Sequence, residues 1–419
     1  MTADITLRGP GDVVALLPYQ LGYHPRDSVV VVSLRGRRVG LVARADLPPA
    51  KFVDEVVSSL MGPLVRDRAT AVIVLGYEDV PHASQPVLLA LVEQLERAGI
   101  DVVDVPVVRD GRRYSAICSD SCCPPEGIAL PDPADVPGVA EYVALGRSPL
   151  RSRSDVDALV APEPWRCLGV ARAVASRSRM PRGRRRSALA WSMLLRPGDS
   201  RRRPLDRRTV ADVALGLADI PWRDGLIAWL VPSVLSAGSI DPKVMASLRS
   251  SLPTWGGMGL ALEQQPPGLR VAPDGTATGV WNATATGAPA SSPGGGSSRV
   301  SGGPGPGAGS RSAGDVRMSR AEREALVGER DELLQRLLAL CRSVPDECPA
   351  EAAAVCTVAA HVAWVDGDGA IARAAVERAL RLAPDYRLAQ LLEQLIETGL
   401  RLPSVARSAP STDGLGRVS

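Results

Sequence analysis

Four consecutive valines near the start of the chain constrain its fold more than any other feature. They lie in the segment Ser28-Val-Val-Val-Val-Ser-Leu34. A short continuous run of β-branched residues is typical of a strand that is buried on both faces. The next segment, 39–44, is apolar again after a basic turn at 35–38, so the two segments predict a β-hairpin. The fold must therefore cover both faces of a sheet.

Further strand patterns continue this sheet through the first third of the chain. Apolar residues at helical spacing precede the predicted strand Ala71–Leu75, and a second helical pattern follows it at 85–98. A strand over 101–108 and the tight-turn pair Asp110-Gly111 then predict a second hairpin. Hairpin, helix, strand, helix and hairpin together predict a mixed α/β domain over residues 1–136.

From Pro137 onward the strand patterns stop and helical spacing takes over. The composition divides the rest of the chain into an arginine-rich helical region at 137–262, a flexible linker rich in Gly, Pro and Ser at 263–316, a helical unit at 317–403 and a disordered tail at 404–419. The predicted fold class is therefore an α/β amino-terminal domain with a mixed sheet, followed by all-α segments.

The last helical unit has a pattern of small residues that resembles one tetratricopeptide repeat. The small residues at these spacings are Ala359, Ala360, Ala363, Ala372 and Ala379. Two helices can pack closely only where their facing side chains are small, and this pattern predicts such a pair. A lone repeat cannot bury its own core, so a third helix from Tyr386 onward is expected to cover it.

The charge balance argues against a chain that binds nucleic acid over its whole surface. The 419 residues carry 49 basic and 46 acidic side chains, for a net charge of +3. The cysteine number is odd and no signal-peptide pattern is present, so we predict a reduced, cytoplasmic protein. The apolar run at 226–235 is about half of the roughly 20 residues that a membrane span requires. We therefore predict no membrane segment.

A cluster of three cysteines follows the second hairpin: Cys118, Cys122 and Cys123. Three thiolates can hold a soft metal such as zinc, and Cys167 is the candidate for a fourth ligand. Adjacent cysteines followed by two prolines make a poor chelate, however, and exposed thiols with a lowered pKa would instead be redox-sensitive. A packed turn with buried thiols is the third interpretation. Apart from this metal, no cofactor is predicted.

Three polar residues of the amino-terminal part are further candidates for a site: Asp120, Glu126 and His24. Carboxylates and an imidazole are the groups that general acid–base catalysis uses. Isolated His and Asp residues beside prolines are usually turn and cap residues, however. No fixed spacing identifies an acid and a base, so no catalytic residue is assigned.

Two arginine clusters flank a short helix in the middle region. Their candidate contact residues are Arg184, Arg185 and Arg186 in the first cluster and Arg201, Arg202 and Arg203 in the second. Such clusters can neutralise phosphates, and Trp191 is a potential stacking group. A solvated loop in a chain whose arginine content reflects GC-rich coding is the alternative interpretation.

Several motifs together resemble a known family. They are Ala-Leu-Leu-Pro-Tyr at 15–19, the segment 21–32 around the valines, Cys-Cys-Pro-Pro-Glu-Gly at 122–127, Arg-Asp-Gly-Leu-Ile-Ala-Trp-Leu at 223–230 and the segment 384–392. In these residues the chain is similar to the actinobacterial family of the domain of unknown function 4192. The resemblance implies a mixed α/β amino-terminal part, a helical remainder and a cytoplasmic actinobacterial protein. It supplies no catalytic residue.

These observations favour a binding protein over an enzyme. An α/β unit, a linker and a small helical unit, without a complete catalytic constellation, predict a regulatory or interaction protein that binds a ligand or a protein or peptide partner. The first alternative is a thiol-based metal or redox site at the cysteine cluster. Nucleic-acid binding through the arginine clusters and an enzyme that uses carboxylates are weaker alternatives.

Overall fold

The computed structural model describes residues 9–35, 38–118, 120–121, 123–136, 138–144, 146–180, 183–197, 205–232, 240–255, 258 and 320–398. The predicted linker and the predicted tail lie outside these residues. The same holds for Cys122 of the cysteine cluster and for the second arginine cluster, 201–203.

The first part of the chain alternates strands with helices. Its elements are α1 (Pro10–Leu21), β1 (Ser28–Arg35), β2 (Arg38–Asp46), α2 (Val53–Arg66), β3 (Ala71–Tyr77), α3 (Gln85–Arg97), β4 (Asp101–Asp104), β5 (Pro106–Arg109), β6 (Arg112–Ser115) and β7 (Ile128–Ala129). Short 3₁₀ turns at Ala50–Phe52 and Pro133–Asp135 complete the first part.

The seven strands among the described residues form one mixed sheet in the order β2-β1-β3-β5-β6-β7, with β4 also paired to β3. β1 is antiparallel to both β2 and β3, whereas β3 is parallel to β4 and β5. The predicted strand over 101–108 is interrupted at Val105, because the Val105 N–H donates to the side chain of Asp104 at 2.8 Å. The short strand β7 pairs with β6 and was not predicted.

The valine run lies in β1, between β2 and β3, and is buried on both faces. Val29 and Val31 face a core that α2 and α3 cover, and Val30 and Val32 face the core under α1. This alternation follows from the two-residue period of a strand. The observed architecture confirms the predicted mixed α/β amino-terminal part.

Gly76 permits the close approach of α3 to the central strand. A Cβ at this position would lie 2.5 Å from Ser84 Oγ and 2.9 Å from a methyl group of Leu88. Only glycine avoids these contacts without a shift of the helix. Ser84 immediately precedes α3, so this residue sets where the helix begins relative to the sheet.

The rest of the described chain is helical. Its helices are α4 (Val139–Ala144), α5 (Arg153–Ala158), α6 (Pro164–Cys167), α7 (Val170–Arg177), α8 (Arg184–Leu194), α9 (Arg207–Gly216), α10 (Ile220–Leu230), α11 (Pro242–Ser251), α12 (Arg320–Ser343), α13 (Pro349–Asp366), α14 (Gly369–Leu382) and α15 (Arg387–Glu397). This confirms the helical remainder of the predicted fold class. None of the described helices is both long enough and apolar enough to cross a lipid bilayer.

One hydrophobic core holds the middle helices and the carboxy-terminal helices together. It contains Trp191, Trp222 and Trp229 from α8 and α10 and continues through Leu333 and Leu337 of α12. The small residues of the tetratricopeptide-like pattern are buried in the same core, where α13 and α14 pack against each other. The two helical segments are far apart in the sequence, yet their described residues share this one core.

Buried arginines of the carboxy-terminal helices bind the carboxyl ends of the middle helices. Arg330 donates to the Leu230 carbonyl at the end of α10 at 2.8 Å, and Arg336 donates to the Leu194 carbonyl at the end of α8 at 2.9 Å. Helix carboxyl ends leave carbonyls without an intrahelical partner and carry partial negative charge. Each guanidinium therefore satisfies groups that the core would otherwise bury unpaired.

Arg378 of α14 makes the densest set of these contacts. Its guanidinium donates to the carbonyls of Val160, Cys341 and Val344 and to the Asp346 carboxylate. Val160 lies just beyond α5, while the other partners belong to the end of α12 and the loop after it. One side chain thus fixes three segments of the helical part.

The α/β part contacts the helical part through the segment after α1. Tyr23 is buried in the helical core and pairs with Leu150 in a short parallel bridge. The His24 N–H donates to the Leu150 carbonyl at 2.9 Å, and the Leu150 N–H donates to the Gly22 carbonyl at 2.8 Å. Backbone hydrogen bonds therefore join the two parts.

Candidate functional site

A pocket of about 240 Å³ lies between α7, α8, α9 and α10. We call it the Arg–Asp pocket. It is lined by Arg177, Ser178, Met180, Gly183, Arg184, Arg186, Ser187, Asp212, Leu215, Gly216, Asp219 and Trp222. Three guanidinium groups, two carboxylates and an indole ring surround one cavity, which makes it the best candidate for a ligand site among the described residues.

Side-chain caps fix the starts of two of the helices around the pocket. Asp206 accepts from the backbone N–H groups of Arg208 and Thr209 and so begins α9. Asp219 accepts from the Trp222 N–H at 3.2 Å and so begins α10. Aspartate is a preferred residue at this helix position because its carboxylate satisfies an otherwise unpaired backbone donor.

Gly216 lets α8 approach the junction between α9 and α10. A Cβ on Gly216 would lie 1.9 Å from Ser187 Oγ and 3.7 Å from Trp222 Nε1. No other residue type fits at that distance without a shift of the helices. The Ser187 hydroxyl fills the place that a side chain at Gly216 would take, and Trp222 Nε1 lies beside it. We call this close contact of Ser187 Oγ and Trp222 Nε1 with Gly216 the Gly216 notch.

Two ion pairs hold the arginines in position. Arg184 donates to both oxygens of Asp219, from Nε at 2.8 Å and from Nη2 at 3.3 Å. Arg177 Nη2 lies 2.7 Å from Asp212 Oδ2. Planar, two-point pairing fixes the guanidinium of Arg184 more firmly than a single contact would.

The two aspartates of the pocket differ in their ionisation. The hydrogen bond from Arg184 lowers the pKa of Asp219. Burial raises the pKa of Asp212, although the charges of Arg177 and Arg186 act in the opposite direction. Asp212 is therefore the carboxylate of the pocket that takes up a proton more readily.

Two buried polar atoms of the pocket wall have no hydrogen-bond partner among the described residues. They are Ser187 Oγ and Trp222 Nε1. Ser187 is 5% exposed and Trp222 is 0% exposed, so bulk water does not satisfy either of them. A buried donor without an acceptor costs about 1–3 kcal/mol, and native folds rarely keep one. Here two such atoms lie beside the same notch.

The first arginine cluster of the sequence contributes directly to this pocket. Arg184 and Arg186 line it, whereas Arg185 between them is exposed. The sequence pattern did not identify the two aspartates, Ser187 or Trp222 as members of one site. The sequence does indicate a helix start at Asp219, because an aspartate two residues before a proline such as Pro221 is typical of that position.

The hairpin end with the cysteine cluster has a local hydrogen-bond network. Cys118 Sγ lies 3.8 Å from Asp120 Oδ2, and the Cys123 N–H donates to the Asp120 carbonyl at 2.8 Å. Cys167, which is half-buried in the helical part, donates to the Arg342 carbonyl at 3.3 Å. Within the described residues no three His, Cys, Asp or Glu side chains are placed to hold a metal ion. Because Cys122 is not among them, the metal and redox alternatives remain predictions.

Glu126 and His24 have different surroundings in the structure. The Glu126 side chain is exposed, while its carbonyl accepts from Arg112 Nε at 2.7 Å. The pKa of His24 is lowered by partial burial and by the nearby charge of Arg26. Neither residue has, among the described residues, a partner that would take or supply a proton in catalysis, and their place in a site remains a prediction.

Glu78, which the sequence analysis did not identify, is a buried carboxylate at the end of the central strand β3. It accepts from the Ser84 N–H at 2.9 Å, from Ser84 Oγ at 2.6 Å, from the His82 N–H at 3.0 Å and from Arg109 Nη1 at 2.8 Å. Burial acts to raise its pKa, but the hydrogen bonds from Ser84 and His82 and the charge of Arg109 outweigh burial and lower the pKa. Glu78 thus orders the loop between β3 and α3.

We expect Glu78→Gln to destabilise the fold by about 1.5–3 kcal/mol at neutral pH, since an amide replaces a carboxylate that four donors surround. A lowered pKa in the folded state stabilises the fold above the unfolded pKa of about 4.3, and this contribution is lost as pH falls through the folded pKa. The stability difference between wild type and variant is therefore expected to shrink in urea unfolding below about pH 4.

The matched control for this variant is Glu93→Gln. Glu93 lies on the exposed side of α3 and pairs with Arg97 one turn later. Such surface pairs contribute about 0.3–0.5 kcal/mol. A cost at Glu78 no larger than the cost at Glu93, or a difference that does not change with pH, would show that the carboxylate does not order the loop.

The fold and the pocket define a class of protein in which a mixed α/β layer is joined to a helical body that carries a charged cavity. The family model of the domain of unknown function DUF4192 matches residues 10–238 and 316–402. These two ranges cover well over half of the chain, so the chain belongs to this family. No curated protein and no solved structure matches the chain.

One range of the chain, between the two matched parts, lies outside the family match. The matched ranges omit residues 239–315, and the helices on either side of that gap share one core. Helix α11 lies within the omitted range, and its Val244, Met245 and Leu248 belong to the same core, so part of this range is built into the fold.

Proposed function

We propose that this chain is a ligand-binding protein and that a small polar ligand occupies the Arg–Asp pocket. The observation that carries the proposal is the pair of buried, unpartnered atoms at its wall, Ser187 Oγ and Trp222 Nε1. A ligand that accepts hydrogen bonds from both atoms removes their cost to the fold, and this contribution adds to the binding free energy.

The arrangement of charges supports binding rather than catalysis. Both carboxylates of the pocket are engaged by arginines, Asp212 by Arg177 and Asp219 by Arg184. The residues that line the described pocket include no cysteine or histidine. Arginines held in place by carboxylates form a rigid set of donors, which lowers the entropic cost of binding.

We also propose that the protein is cytoplasmic and comes from an actinobacterium. Cys341, Cys348 and Cys356 are buried thiols that form no disulfide, which fits a reducing compartment. The positive charge of the chain is carried almost wholly by arginine, and this fits a GC-rich coding sequence.

Equilibrium dialysis tests the proposal even though the ligand is unidentified. The full chain is dialysed against a small-molecule extract of the cells that produce it, and retained compounds are identified by mass spectrometry. We expect at least one compound to be retained by the wild type and lost with Ser187→Ala, since the alanine removes one hydrogen bond and adds no bulk.

Ser192→Ala is the matched control, because Ser192 lies on the same helix and donates to the Leu189 carbonyl of its own helix at 2.8 Å. It is expected to retain the same compound as the wild type. Retention of no compound, or equal retention by all three proteins, contradicts the proposal.

A further inference from the structure

We infer that the ligand of the Arg–Asp pocket carries an anionic group, a carboxylate or a phosphate, whose oxygens accept hydrogen bonds at the Gly216 notch. This inference rests on the proposed function and specifies the chemical class of the ligand. It is carried by three features of the pocket: the placement of its unpartnered atoms, its charge balance and its size.

The first feature is the geometry of the notch. Ser187 Oγ and Trp222 Nε1 lie 1.9 Å and 3.7 Å from one point, the position of the missing Gly216 Cβ. The indole N–H can only donate, and the serine hydroxyl can donate as well. The indole N–H therefore needs an acceptor from the ligand, and the oxygens of a carboxylate or a phosphate offer acceptors to both donors together.

The second feature is the charge of the wall. The side chains that line the pocket include three guanidinium groups, those of Arg177, Arg184 and Arg186. They include two carboxylates, those of Asp212 and Asp219, so the lining carries an excess of one positive charge when both are ionised. A bound anion lowers the electrostatic energy of such a wall, whereas a bound cation raises it.

The third feature is the size and the apolar side of the pocket. Its volume of about 240 Å³ is below the range of roughly 300–1,000 Å³ that drug-sized ligands occupy. Met180 and Leu215 offer an apolar surface to a short carbon skeleton. A small anionic metabolite fits these dimensions, but a nucleic-acid strand does not enter a cavity of this size.

Isothermal titration of the full chain at constant ionic strength tests the inference. The probes are succinate, inorganic phosphate and succinamide, which has nearly the shape of succinate without its charge. We expect succinate or phosphate to bind and succinamide not to bind. Binding of succinate alone identifies a carboxylate site, and binding of phosphate alone identifies a phosphate site.

Two substitutions that change the charge of the pocket in opposite directions test whether the ligand is an anion. Arg186→Gln is expected to weaken anion binding by about tenfold or more, and Asp212→Asn is expected to strengthen it by a similar factor. The matched control is Arg185→Gln, which removes the exposed neighbouring charge and is expected to leave the affinity within about twofold. If Asp212→Asn does not fold, the comparison of Arg186→Gln with Arg185→Gln alone decides whether the ligand is an anion.

The outcomes separate this inference from the proposed function. If neither anion binds, or if Arg186→Gln and Arg185→Gln have equal effects, the anionic ligand is excluded. A compound from the dialysis experiment that is neutral and still depends on Ser187 would overturn the inference and leave the binding function in place. Retention of no compound by the wild type would overturn both.

Discussion

Full chains that carry Arg378→Met are expected to lose about 3–5 kcal/mol of unfolding free energy. The Arg378 guanidinium donates to the carbonyls of Val160, Cys341 and Val344 and to the Asp346 carboxylate. Methionine fills much of the same space but donates no hydrogen bond, so three buried carbonyls lose this donor. Urea unfolding followed by circular dichroism at neutral pH measures the loss.

Arg381→Met is the matched control on the same helix. Arg381 also pairs with Asp346, at 3.3 Å, but its side chain is 61% exposed. An exposed pair of this kind contributes about 0–1 kcal/mol. If the two variants lose similar amounts of stability, Arg378 does not fix the three segments that it contacts.

Two separate fragments of the chain, 1–258 and 316–419, are expected to form a stable complex when they are produced in the same cell. The middle helices and the carboxy-terminal helices share one hydrophobic core. Arg330 and Arg336 add hydrogen bonds across the same boundary. A core of this extent resembles an obligate interface, in which the two chains do not separate during purification. Affinity capture of one tagged fragment followed by gel analysis measures the complex.

A matched pair of substitutions on α12 tests whether the core is the cause. Leu337→Asp places a charge in the buried core and is expected to abolish the complex. Gln335→Asp changes an exposed residue of the same helix and is expected to leave it intact. Capture of both variants to the same extent, or no capture of the unmodified fragments, would mean that the two segments fold independently of each other.

The architecture of the α/β part was predictable because its signals are local. The valines Val29–Val32 predict a strand buried on both faces by their side-chain type alone, and the structure buries them in β1 between β2 and β3. The break at Val105 and the short strand β7 were not predictable in this way. Both depend on hydrogen bonds with particular partners, the Asp104 side chain in one case and β6 in the other.

The buried arginines show where the sequence interpretation reaches its limit. Arg330, Arg336 and Arg378 are polar in any hydrophobicity pattern, and the richness of the chain in arginine suggested a coding bias. In the fold they are buried because carbonyls from helices distant in the sequence meet them. Such partners arise from tertiary packing, which residue spacing does not encode.

The candidate site was predictable only in part for the same reason. Arg184 and Arg186 belong to a cluster whose positive charge suggested an anionic partner, and both line the Arg–Asp pocket. Asp219 is the ion-pair partner of Arg184, although it lies 35 positions later in the sequence. The notch itself depends on Gly216 and on the packing of α8 against α9, so no local pattern indicates it.

Urea unfolding of ligand-free Ser187→Ala measures whether Ser187 Oγ has a hydrogen-bond partner within the fold. The proposed ligand site requires that it has none. We expect the variant to be as stable as the wild type or more stable by about 1 kcal/mol, since the alanine removes an unsatisfied buried hydroxyl. A variant that is less stable by about 1 kcal/mol or more would mean that the hydroxyl is already hydrogen-bonded within the protein. The pocket would then have no unmet donor at Ser187 for a ligand to satisfy.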